Sequence, residues 1–242
     1  MVSPSRKSQP KILFLFAFIL VLSGCKLVST TSIYTGDLID VLSLSTGEQL
    51  LTKSNLKVEF SSEETCAQDA SEFALLLRNS GVSNLQFIEC YEEGFSSFGS
   101  FDIDIPVIRG DDENGDVSNT NIFGLVVMDE GYTSGEDALL SFYFCVRGDI
   151  WNNVQNASMD KYFQKFDVDD MDFIYEIEND LREPKDYYSG TLAFINSKPT
   201  SVGTQFTLKR RDSINVRMND VSKHIIASSA GGCSLGGHLA KN

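Results

Sequence analysis

The sequence predicts an α+β fold, mainly antiparallel sheet with two crossover helices, stapled by disulfides. Three observations carry that expectation. Apolar and polar residues alternate at 56–60, 101–107 and 171–178, the pattern of strands with one wet face. Apolar residues recur at helical spacing after residue 64 and over about 150–164. Four cysteines follow residue 25, namely Cys66, Cys90, Cys145 and Cys233, an even number that suits two disulfides in an oxidising compartment.

The chain opens with a basic stretch carrying Arg6, Lys7 and Lys11, then an unbroken apolar run over 12–22. That run is too short to span a bilayer as a helix, which takes roughly 20 residues. Basic then apolar is the order of a secretory signal. Leu22-Ser23-Gly24-Cys25 ends it and resembles the lipobox of bacterial lipoproteins at all four positions. The resemblance implies cleavage before Cys25, a diacylglycerol on its thiol and an acylated new N-terminus. Lys26, where an Asp would hold such a protein in the inner membrane, implies the outer membrane, facing the periplasm.

Residues 1–24 are thus expected to be the signal peptide and 25–35 a lipidated leader, with Val28 to Tyr34 suited to a strand. An α+β domain over 36–226 follows; its element order suggests two halves, about 36–130 and 131–226. Residues 227–242 form a Gly/Ser-rich tail. Thr35-Gly36-Asp37 can start a short helix bearing Leu38, Val41 and Leu42. Leu56, Val58 and Phe60 form a strand, and Ser61-x-x-Glu64 reads as a capping box. The helix after it places Cys66, Ala70, Phe73 and Leu77 on one stripe and stops at Gly81. The next strand runs from Leu85 to Cys90. A helical crossover returns a chain parallel to its first strand. Cys90 would then close that strand beside Cys66, which favours Cys66–Cys90 and leaves Cys145–Cys233. Phe101 to Val107 is a strand, Ile122 to Met128 is expected to pair with it across a polar loop, and Leu139 to Val146 is a buried strand. A helix follows at about 150–164, and Met171 to Glu178 is a second acidic-faced strand. Residues 187–195 and 204–217 read as two more strands.

Leu56 to Phe60, Cys66, the run Phe87-Ile88-Glu89-Cys90, and Phe98 to Val107 with its Asp/Asn loop are similar to a family of uncharacterised lipoproteins of proteobacteria and their mobile elements. The resemblance implies no catalytic residue.

Removing residues 1–24 removes three basic and no acidic side chains, so the net charge falls from −14 to −17. Nucleic acid is therefore not an expected partner, because binding it takes a basic face. Asp112, Asn114 and Asp116 place oxygens at alternate positions in a tight loop, as calcium loops do. Val117 stands where an EF-hand needs Gly, and Phe123 where it needs Glu, so a solvated turn is the plainer reading. Asp167, Asp169, Asp170 and Asp172 could hold a metal or act as a carboxylate pair, or simply guard a strand edge. His224 and His238 are the only histidines, and no nucleophile motif accompanies them. Arg109-Gly110-Asp111 and Arg147-Gly148-Asp149 are ordinary turn sequences. Phe95, Phe98 and Phe101 could form a binding patch, though such aromatics usually belong to the core.

The expected function follows by elimination: no enzyme and no cofactor, calcium apart, but a membrane-anchored binding or assembly module with an envelope protein as partner. Two alternatives stand beside it. One is a phage- or plasmid-encoded exclusion lipoprotein that masks a surface receptor; the other is a carboxylate-dependent hydrolase.

Overall fold

The structure, a computed structural model, describes residues 26–60, 65–94, 96–110, 123–131, 138–146, 148–162, 168–190 and 192–228. The chain begins β1 (Leu27–Tyr34), α1 (Thr35–Leu42), β2 (Leu50–Phe60), α2 (Cys66–Asn79), β3 (Gln86–Glu93) and β4 (Ser96–Arg109). It continues with β5 (Phe123–Asp129), β6 (Leu140–Val146), α3 (Gly148–Tyr162) and β7 (Met171–Glu178). Short strands follow: β8 (Lys185–Ser189), β9 (Ala193–Ile195), β10 (Lys198–Thr200), β11 (Gln205–Leu208) and β12 (Ser213–Met218), then α4 (Asp220–Ser228).

These strands make one mixed sheet in the order β10-β9-β12-β7-β1-β2-β4-β5-β6-β8-β11, with β3 also on β4. This corrects the α+β expectation: the protein is mostly β, a curled mixed sheet rather than an antiparallel one with two crossover helices. Three neighbouring pairs run parallel: β1 with β7, β4 with β5, and β6 with β8. The crossover logic held for direction but not for adjacency. β2 and β3 are both antiparallel to β4, so they are parallel to each other with β4 inserted between them. The stretch expected as a leader is β1 itself, an interior strand between β2 and β7.

Connectivity dictates the curl. β10 and β11 lie at opposite ends of an eleven-strand path, which laid flat would separate them by about 48 Å at 4.8 Å per strand. Only Ser201–Thr204 joins them, a link that reaches about 17 Å at most. Hydrogen bonds from Gly203 N to Ser189 O (2.9 Å) and from Ser189 N to Thr204 O (3.0 Å) tie that link to the end of β8.

The concave face holds a single core. β4 contributes Phe101, Ile103, Ile105 and Val107, β7 contributes Phe173, Tyr175 and Ile177, and α1 adds Leu38 and Val41. Helix α2 lays Ala70, Phe73 and Leu77 on this face, and the Phe73 ring meets Phe101 at 5.6 Å. Its N-terminus is capped one box later than expected: Gln68 Oε1 accepts from Thr65 N (3.3 Å) and Thr65 Oγ1 (2.7 Å). The expected Ser61 and Glu64 lie outside the described residues. Gly81, at φ +105°, ends the helix, with Val82 N donating to Leu77 O at 3.0 Å.

Cys66 and Cys90 form the expected disulfide, with Cα atoms 6.1 Å apart. Cys145 is fully buried and also disulfide-bonded; Cys233 lies outside the described residues. Residues 187–195 and 204–217, expected as two strands, are divided among β8, β9, β11 and β12, with β10 between them. Left-handed turns at Asn196-Ser197, Gly203 and Arg211 separate β9 from β10, β10 from β11 and β11 from β12.

Candidate functional site

An open cleft of about 360 Å³ lies on the convex face, where β1, β7 and β12 run side by side. Its floor follows from strand register. Ser32, Glu176 and Asn215 form one row across the three strands, and Tyr34, Glu178 and Ser213 form the next. Alternation sends these side chains outward because Ile33, Tyr175 and Ile177 face the core. Ser32 Oγ donates to Glu176 Oε2 at 3.4 Å.

Asn196 makes one wall. It sits at φ +47° in the two-residue β9–β10 turn, a conformation Asn tolerates. Its Oδ1 accepts from Asn215 N (3.0 Å) and its N donates to Asn215 O (2.8 Å), which pins the turn over β12. The Tyr34 ring is 49% exposed at the rim. Beyond it, Asp180 Oδ1 accepts from Gly36 N at 2.9 Å. Burial raises the Asp37 carboxyl above its usual range, with Asp180 and Asp40 adding to the rise.

Glu176 and Glu178, roughly 7 Å apart along the strand, have no basic partner among the described residues. An ammonium or guanidinium group suits this arrangement, with carboxylates to take its charge and an aromatic face beside them.

The acidic cluster named from the sequence behaves differently. Asp172 is held by Arg217, whose Nη2 donates to both carboxylate oxygens at 2.8 and 2.7 Å and whose Nε donates to Oδ1 at 3.1 Å. Lys223 Nζ lies 3.7 Å from Asp172 and 2.8 Å from Asp220. His224 pairs with Asp169 at 2.8 Å. The cluster thus stitches α4 and β12 to the start of β7, and no group of three metal-binding side chains exists among the described residues. Asp167 and His238 lie outside those residues. So do Asp112, Asn114, Asp116, Phe95 and Cys25. Of the three aromatics, Phe101 is core, while Phe98 stacks outward on Tyr91 at 5.5 Å.

Sequence reading marked Glu176 and Glu178 as the wet face of a strand and missed Tyr34, Asn196 and Asn215. No local signal joins those three, because they meet only through sheet order. Residues 28–234 match the family model described as Domain of unknown function (DUF7424). The chain belongs to this family. The matched span takes in β1, so the family unit includes the strand nearest Cys25. No curated protein and no solved structure matches the chain.

Proposed function

We propose that this DUF7424 protein is a lipid-anchored envelope protein that binds a partner, with the β1–β7–β12 cleft receiving a basic segment of another envelope component. The observation that carries the reading is the pair Glu176 and Glu178, unpaired with any cation among the described residues and set beside the exposed Tyr34 ring. The lipobox-like Leu22 to Cys25 supports the anchoring. The partner class follows from charge: an acidic cleft on an acidic protein attracts cationic groups.

The same two carboxylates are what a carboxylate-dependent hydrolase would employ. Both stand in open solvent, whereas a catalytic acid of that kind sits in an apolar enclosure; this favours binding. An exclusion lipoprotein is the same reading with a surface receptor as the partner.

The test is photo-crosslinking in intact cells from a photoreactive residue at position 34 of the native chain. The expected result is an adduct with one dominant envelope protein, lost in the Glu176→Gln/Glu178→Gln variant. A folded, membrane-bound protein that gives no adduct, or an adduct indifferent to the two glutamines, contradicts the proposal.

A further inference from the structure

A second surface lies at the other end of β1. Lys26 O accepts from Glu59 N at 2.8 Å, so the chain is already part of the sheet one residue after Cys25. Glu59 lies opposite Phe98, and Phe98 opposite Tyr91. Lys26, Glu59, Phe98 and Tyr91 therefore form one transverse row across β1, β2, β4 and β3. Leu27, Val58 and Phe60 face the core, which turns this row to the convex face. The Phe98 and Tyr91 rings stack there with planes 21° apart, and Lys57 Nζ stands 4.1 Å from the Phe98 centroid and 5.1 Å from that of Tyr91.

Glu93 neutralises part of that charge, 3.0 Å from Lys57 Nζ. Ser96 Oγ donates to Glu59. Glu59 and Glu93 are thus engaged, and aromatic faces and lysine stems stand beside them on the convex surface nearest the anchor.

We propose that the Lys26–Phe98–Tyr91 row, with Lys57 over the rings, rests in the head-group layer of the membrane that holds Cys25. The proposal depends on acylation of Cys25. A transverse row spans about 14 Å over three strand spacings at nearly one height, and the head-group layer is only about 5–7 Å deep on each side. A single residue between the lipid and β1 leaves no slack to lift the row away. Aromatic rings with a polar tip collect at this depth, and lysines lay their methylenes along them with the ammonium in water. The opposite end of β1, with the cleft, stands about 26 Å further out along eight residues.

The test uses the full lipidated chain in vesicles of phosphatidylethanolamine and phosphatidylglycerol brominated near the top of the acyl chains. Tyr91→Trp and Phe98→Trp are compared with Tyr34→Trp, and the buried Trp151 is common to all three. Mass spectrometry of the N-terminal peptide accompanies each sample. The expected result is blue-shifted, quenched emission at 91 and 98 and unquenched emission at 34. Acylated protein quenched at neither 91 nor 98, or equally at all three positions, overturns the proposal and leaves the anchor standing. A peptide without acyl mass removes the anchoring reading and this one with it.

Discussion

The two ends of β1 share one interior and differ outside. At the Lys26 end three carboxylates have cationic partners: Glu93 meets Lys57, Asp172 meets Arg217, and Asp169 meets His224. At the Tyr34 end, Asp37, Glu176, Glu178 and Asp180 have no cation among the described residues. A cluster whose charges are neutralised internally holds the fold together; one whose charges are left open has binding capacity to spare. Asp169 and Asp172, from the acidic run more conspicuous in the sequence, are of the first kind.

The largest expected effect comes from the middle of the strands, where the comparison should vanish. Phe101 is fully buried between Phe73 and Phe87. Phe101→Ala should cost about 3–5 kcal/mol in denaturant unfolding and loosen both ends alike. Loss of protection at only one end would show two separable units.

The disulfide sharpens the contrast. Replacing Cys66 and Cys90 by Ala opens a loop of sequence separation 24 and should cost about 3 kcal/mol. Amide exchange should rise in α2 and β3 while β7 and β12 keep their protection.

The cleft end has its own lever. Tyr187 is buried, stacks on Phe206 at 5.3 Å, and bonds to Thr35 at the start of α1. Burial pushes its hydroxyl from 10.0 up to about 12. A raised value means that the neutral form stabilises the folded state. That stability is complete below pH 10 and is lost as pH climbs to about 12, a change of about 2–3 kcal/mol. Melting temperature should fall through this window, and Tyr187→Phe should flatten the fall. Tyr175, whose hydroxyl burial also pushes up, retains part of it. An unchanged alkaline profile in the variant would remove Tyr187 from the account.

The smallest effect belongs to Thr31, whose buried hydroxyl has no hydrogen-bond partner among the described residues. Thr31→Val should be neutral or stabilising by about 1 kcal/mol, measured by urea midpoint. Marked destabilisation would mean that the hydroxyl is satisfied.

Local patterning made β2, β4, β7, α2 and the Cys66–Cys90 bridge legible, because each rests on periodicity or on a short loop. β1 was harder to place. Its inward positions include Ser29 and Thr31, so burial and hydropathy do not coincide. Ser29 instead bonds Ser54 across the pair at 2.9 Å. Parallel pairings such as β1 with β7 join residues more than 140 apart in sequence, and no local signal encodes them. The cleft inherits that difficulty: its glutamates were visible, its other walls were not.

The most direct test of the account is intact mass and N-terminal peptide analysis of the protein extracted from washed membranes of its host. The account predicts a mature chain that begins at Cys25, carrying a thioether-linked diacylglycerol and an amide-linked acyl chain. A soluble chain that retains residues 1–24, or one cleaved elsewhere with an unmodified Cys25, would contradict it.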